Sequence, residues 1–440
     1  MAAPRQPEAE VQEGNSARRG LHPGLLLVLV AVFSRAIRTA RGELVSFAPE
    51  GPWDLRPSKM FAAVPVLLAL VYLLGHPRRK AIRIDIPLKI LLVLMGYGAI
   101  SALWAPMPDE IPVWLVKTTT KVLFYILVIT FTVRWHDIHH WGHMFIYMSL
   151  ILPVMVALEW SVFREVALSE GTHSYFAIYG QWSTLALPFT LHYVLFPRNA
   201  IERVLGASGL IAGNLAIALS ARRAPLIAIP LMLLVYFLLA ARRRRDLLRI
   251  VALLAAGLAI AVALNPLHVQ RLESMLQLGG TGLLREEHLS GRFIRFFGAL
   301  EVTRTHWLLG LGAGNFRAWA KDALPFGVPT NPHNLTLYLT SNLGIVGLAI
   351  FGVFVLCAYG RMRRALRICL TNGDLTMASF VAATVASFVG MLFYAQFEPF
   401  FHSTQIYVVA ALGSVTLAIV RERYGEANGS AASSRPATSA

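Results

Sequence analysis

The sequence predicts an all-α polytopic membrane protein with about twelve transmembrane helices. Three observations lead there. Of its 440 residues, 56% are hydrophobic and 15% charged, well short of the about 25% charged residues of a soluble domain. The mean hydropathy is +0.57. Apolar runs of about 20 residues, long enough to cross a hydrocarbon layer of roughly 30 Å, recur along the whole chain. One membrane domain is therefore expected, rather than a soluble domain with an anchor.

The helices are expected near 21–40, 58–75, 88–105, 112–133, 141–163, 174–196, 203–220, 224–241, 248–264, 333–357, 374–395 and 404–421. The apolar run Leu21 to Phe33 imitates a signal peptide. Arg35, Arg38 and Arg41 follow it where small cleavage-site residues belong, so it reads as an uncleaved first helix. Residues 1–20 form a polar N-terminal tail, and 422–440 an Ala/Ser-rich tail expected to be disordered. Residues 21–264 hold the first nine helices and 333–421 the last three. Between the ninth and tenth lies the one long connection, 265–332.

Basic residues give the orientation. Alternate connections carry Arg78, Arg79, Lys80 and Arg83; Arg198 and Arg203; Arg242 to Arg245 with Arg249; and Arg361, Arg363, Arg364 and Arg367. Arg18 and Arg19, with Arg421 and Arg423, share their parity. The positive-inside rule places both ends in the cytoplasm and the 265–332 loop outside. The same rule accounts for much of the +16 net charge, so nucleic acid is not an expected partner; membrane lipid is. Cys357 and Cys369 offer neither a disulfide framework nor metal-ligand spacing.

Several cations break the orientation rule. Arg35, Arg38 and Arg41, Lys117 and Lys121, Arg222 and Arg223, and Arg285, Arg292 and Arg295 fall on the outer side or in that half of a helix. Cations at membrane depth are costly unless paired or functional, and arginine grips phosphate through a planar fork of donors. The cluster points to a lipid-linked phosphate or diphosphate; snorkelling to headgroups is the plainer reading of any single arginine. Pro332-His333-Asn334 opens the tenth helix on that side, where His333 can act as a general base. Leu337, Leu339, Asn342, Gly344 and Gly347 follow, with small residues suited to close helix packing. Glu398 and His402 lie in the last outer connection.

Other motifs carry less. His136, Asp137, His139, His140 and His143 have i, i+4 histidine spacing, but in a cytoplasmic connection they read as an interfacial polar turn rather than a metal site. Gly310-Leu-Gly-Ala-Gly314 lacks the third glycine of a nucleotide loop at the right spacing and reads as a turn. The outer acidic pairs, Asp109-Glu110 and Glu286-Glu287, are adjacent, and no Asp-x-Asp pair occurs anywhere. A metal held by such a pair is not expected, and leaving-group charge falls to arginine.

Taken together, Ser290-Gly-Arg292, Gly310-Leu-Gly-Ala-Gly314-Asn-Phe316, Pro332-His333-Asn334 and Asn342-Leu-Gly-Ile-Val-Gly347 resemble the O-antigen ligase/polymerase superfamily. Ser220-Ala-Arg-Arg-Ala-Pro225 resembles that family's Ser-Arg-small segment, with an extra arginine that leaves Arg222 or Arg223 as the match. The resemblance implies a GT-C-like glycosyltransferase fold in a bacterial inner membrane with its site facing the periplasm. It implies an undecaprenyl diphosphate-linked O-antigen as donor, a lipid A-core oligosaccharide as acceptor, and no cofactor. His333 would be catalytic. Arg222 or Arg223, Arg292, Arg295, Arg38 and Lys121 would hold the diphosphate, supported by Asn334, Gly312 and Glu398. An O-antigen polymerase or protein O-oligosaccharyltransferase shares this machinery. A secondary transporter is the alternative of another class, but the paired broken helices it would show are not visible.

Overall fold

The computed structural model describes residues 22–36, 66–71, 84–169, 177–220, 223–240, 248, 251–252, 254–256, 259, 287–325, 330–398, 401 and 403–433. All regular structure among them is helical. The order is α1 (Pro23–Ala36), α2 (Ile86–Ile100, continued by a 3-10 turn to Leu103), α3 (Glu110–Phe131), α4 (Trp135–Ser169), α5 (Ala177–Leu195), α6 (Ala200–Leu219), α7 (Arg223–Ala240), α8 (Glu287–Thr305), α9 (Asn315–Ala323), α10 (Leu335–Thr371), α11 (Leu375–Tyr394) and α12 (Thr404–Ser433).

Local chemistry sets several starts. Asp85 accepts the Leu88 N–H at 3.0 Å ahead of Pro87, Asn199 accepts from Glu202 at 2.8 Å, and Asp374 accepts from Met377 at 2.9 Å. Each side chain satisfies a backbone donor that the first helical turn leaves open.

Among the described residues, seven helices are long and apolar enough to cross a membrane: α2 with its 3-10 turn, α3, α4, α6, α10, α11 and α12. Pro23–Phe33 in α1 and Ile227–Ala240 in α7 are shorter apolar helices. The chain is therefore a multi-pass membrane protein. The second and ninth expected helices, and the whole N-terminal tail, lie mostly outside the described residues. The spans of α11 and α12 are 78% and 89% buried against 33% for α2 and α10, which puts the first pair inside the bundle and the second at its rim. Short connections make successive helices antiparallel. One end of the bundle carries Arg134, Arg198 and Arg367; the other carries 104–109, 306–314, 330–334 and 395–401.

Three boundaries differ from the sequence reading. The histidine cluster, expected in a connection, lies on the first turns of α4, because Asp137 accepts the N–H groups of Val133 and Arg134 (2.9 and 2.8 Å) and starts the helix early. His139 is buried against Tyr193 and Arg198, and His143 pairs with Glu202 at 3.4 Å, so these rings serve helix packing. α10 continues through the basic run to Thr371, since no glycine or proline interrupts it between that run and Gly373. α12 runs on to Ser433, through part of the expected tail, and Tyr424 donates to Asp374 at 2.7 Å.

α10 is broken at Gly344 (φ 64°, ψ −168°), a backbone state essentially reserved for glycine. The break frees carbonyls before it and N–H groups after it. The glycine loop takes up both: Leu311 and Gly312 donate to the carbonyls of Ser341 and Asn342 (3.0 and 2.8 Å), while Ile345 and Val346 donate to those of Trp307 and Leu308 (2.8 and 3.4 Å). Gly310 (φ 69°) lets the loop approach so closely that a Cβ there would lie 2.5 Å from the Asn342 carbonyl carbon. The Asn342 side chain accepts from Phe316 N–H at 3.1 Å, capping α9 where Gly314 offers no side chain. Gly310-Leu-Gly-Ala-Gly314 is thus a turn that fits the break in α10.

Gly344→Ala should lower stability by about 1–3 kcal/mol, from backbone strain and collision with Leu308. Gly352→Ala, helical and facing open space, should be neutral or stabilising. Thermal unfolding of both variants in detergent would check this; equal midpoints would contradict the role given to the break.

Candidate functional site

His333 lies just before α10, held by its neighbours on both sides. Asn334 caps α10 by accepting the Leu337 N–H at 2.9 Å, and its amide donates to the Gln396 carbonyl at 3.1 Å. Leu335 N–H donates to the Ala395 carbonyl at 2.9 Å. These bonds bring the end of α11 against the start of α10, and with it Glu398, which is only 6% exposed.

On the other flank α8 runs parallel to the start of α10. Ala299 and Val302 are buried on its inner side, and Thr303 meets Thr340 at 2.9 Å. This register sets Arg292 and Arg295 at the mouth of the site. Arg295 Nη1 donates to His333 Nε2 at 3.0 Å. Arg292 Nη2 lies 3.7 Å from Glu398 Oε1, and His333 Nδ1 lies 3.5 Å from Glu398 Oε2.

The pattern has a chemical reading. A guanidinium only donates, so Nε2 presents a lone pair and the ring proton sits on Nδ1, facing Glu398. A carboxylate behind the ring orients it and favours the imidazolium that forms when Nε2 takes a proton. Burial, and then the Arg292 charge, lower the pKa of Arg295. Among the described residues, Arg292 and Arg295 stand together beside the Glu398 carboxylate, an arrangement of donors suited to an anion.

His333, Arg292, Arg295 and Glu398 are thus brought together, with Asn334 as the cap beneath. Gly312 lies in the clasped loop, and its bond to Asn342 makes its role structural. Lys121 is buried near the middle of α3, deeper in the bundle. Arg223 opens α7, and contacts of Met232 with Gly390 and of Tyr236 with Ser379 run α7 antiparallel to α11. Its turn therefore opens at the end of the bundle that carries Glu398; its side chain, like Arg222 and Arg38, lies outside the described residues. Gln396, missed in the sequence, accepts from Thr336 at 2.9 Å and from Asn334 through its backbone. An open groove of about 380 Å³, lined by Trp104, Pro106 and residues 305–311, lies at the far end of α8 from His333.

Glu398→Gln and His333→Ala should be coupled. Melting of the two single variants and the double variant should give a non-additive term of about 0.5–3 kcal/mol. Strict additivity would mean the 3.5 Å approach carries no interaction.

A search of curated proteins finds no match for the chain. A family model described as O-antigen ligase matches residues 207–352. That stretch runs from α6 into α10 and includes Arg222, Arg223, Arg292, Arg295, the glycine loop and His333, while Glu398 lies beyond it. An enzymatic role of ligase or polymerase type, on lipid-linked glycan in general terms, goes with the match. The clasped loop and the His-Asn helix start lie inside the matched residues, and over that stretch the chain is similar to the O-antigen ligase family.

Proposed function

We propose that the protein is an O-antigen ligase. It transfers glycan from undecaprenyl diphosphate to a sugar hydroxyl of the lipid A-core at the periplasmic face of the bacterial inner membrane. The observation that carries the reading is His333 set between Glu398 and the guanidiniums of Arg292 and Arg295, at one end of a membrane bundle. A base beside an anion-binding pair suits displacement of a diphosphate by a hydroxyl.

In this reading the donor diphosphate draws Arg295 away from His333 Nε2, with Arg292 and one arginine of the Arg222–Arg223 turn completing its cradle. The freed Nε2 takes the proton of the acceptor hydroxyl as its oxygen attacks the anomeric carbon. The bond from that carbon to the diphosphate breaks, and its electron pair leaves on the diphosphate oxygen. The arginines meet charge where it develops, so no metal is required of the protein. Glu398 steadies the imidazolium until the proton passes to solvent. Single displacement inverts the anomeric configuration.

His333→Ala should reduce transfer by about 10²- to 10⁴-fold, the usual yield of a positioned base. Arg295→Ala should cost about 10²- to 10³-fold. Lipopolysaccharide gels from a strain lacking the gene check the reaction. Uncapped lipid A-core with accumulated lipid-linked polymer is the expected result, unrescued by His333→Ala at normal membrane levels. Core capped with a single repeat unit would mean a polymerase, and an unchanged ladder would overturn the reading.

A further inference from the structure

A hollow that the transfer chemistry leaves unused lies between the α2–α3 connection and the loop that follows α8. It is the open groove of about 380 Å³ lined by Trp104, Pro106 and residues 305–311. Hydrogen bonds fix its two sides to each other. Ala313 N–H donates to Ser101 Oγ at 2.9 Å, and Met107 N–H donates to Asn315 Oδ1 at 2.8 Å. Two tryptophans from separate segments line it. Trp104 rests on Tyr97 at 5.9 Å between ring centroids, and Trp307 is 60% exposed.

Polar groups stand beside the rings. Thr305 Oγ1 donates to the Glu301 carbonyl at 2.9 Å, so toward His306 Nδ1, also at 2.9 Å, it accepts. The neutral His306 ring, exposed, then keeps Nε2 as an acceptor. The Trp104 indole N–H is a buried donor with no hydrogen-bond partner among the described residues. Aromatic faces with a few placed polar groups suit a sugar ring, which offers an apolar C–H face and a rim of hydroxyls. A tryptophan that only anchors a protein among headgroups needs neither a hollow nor a second ring across it.

The position of the groove selects among glycans. Past Gly344, α10 resumes as an apolar span, and its Ile345 and Val346 are tied to the Trp307 and Leu308 carbonyls. Trp104 directly follows the span that ends at Leu103. Ile100, Leu103 and Ile345 close by are exposed apolar side chains. The groove therefore sits where two spans emerge, at the edge of the hydrocarbon layer. From His333, α8 and residues 335–343 run side by side to it; Arg295 to Thr305 is ten residues, roughly 15 Å at the helical rise. A donor polymer leaves its diphosphate outward and needs no hold at that edge. An acceptor glycan fixed to acyl chains must cross from that edge to His333. We propose that the groove binds the core oligosaccharide of the acceptor, holding sugars a few units short of the hydroxyl presented to His333. This rests on the acceptor of the ligase reading above.

The test uses the full chain in nanodiscs of phosphatidylethanolamine and phosphatidylglycerol. The probe is core oligosaccharide released by mild acid from the strain's own lipopolysaccharide lacking O-antigen, followed by saturation-transfer NMR. Affinity should fall about tenfold in Trp307→Ala and hold in Trp307→Tyr, which keeps a ring. Trp307 serves the clasp through its carbonyl, so both variants keep that bond. Equal binding to wild type and Trp307→Ala, or no binding up to about 10 mM, would overturn the proposal. So would released O-polysaccharide whose binding needs Trp307 when that of the core does not. If core binding depends on Trp307 while a strain lacking the gene keeps its lipopolysaccharide ladder, the groove stands and the ligase reading falls. If the ladder is lost but core binding ignores Trp307, the groove proposal falls alone.

Discussion

Much of the architecture around the site depends on one backbone transaction, the clasp between the glycine loop and the break in α10. An interrupted helix inside an apolar bundle exposes carbonyl and N–H groups that lipid cannot satisfy, and each unmet group costs free energy on the scale of kilocalories. Residues 307–312 meet four of them by main-chain hydrogen bonds. The same clasp sets the direction of α8, the start of α9 and the register between α8 and α10. Arg295 reaches His333 because Trp307 is tied to Ile345.

The site adds a second set of constraints on top of this frame. Its cations come from α8, its imidazole from the start of α10, and its carboxylate from the segment after α11. Burying Glu398 is tolerable because two cationic or polar partners face it. At the opposite end, the Tyr125 hydroxyl donates to Asp85 at 2.9 Å and meets Ser414 at 2.8 Å, with Arg361 at 3.7 Å from Asp85. That polar knot ties α2, α3, α10 and α12 without the rest of the fold having to supply it.

The membrane class was legible because lipid demands long apolar runs, and those persist whatever the tertiary packing. Arg292 and Arg295 stood out in the sequence because cations on the outer side violate a general rule, and His333 because it opens a helix there. Gly344 was misread as a packing glycine: its positive φ has no local signature distinct from that of Gly347, which is helical. The early start of α4 was hidden because Asp137 capping Val133 and Arg134 resembles any polar turn. Glu398 was found only as a neighbour, since its partner lies across the fold and nothing in Phe397-Glu398-Pro399 announces it.

The clasp is written almost wholly in main-chain atoms, and main-chain atoms are shared by every sequence. Apart from its glycines and Asn342, it places little demand on side-chain identity. The mouth of the site can therefore change composition while its backbone frame holds still. Substitutions at the mouth can thus accumulate on a frame that does not have to be rebuilt each time.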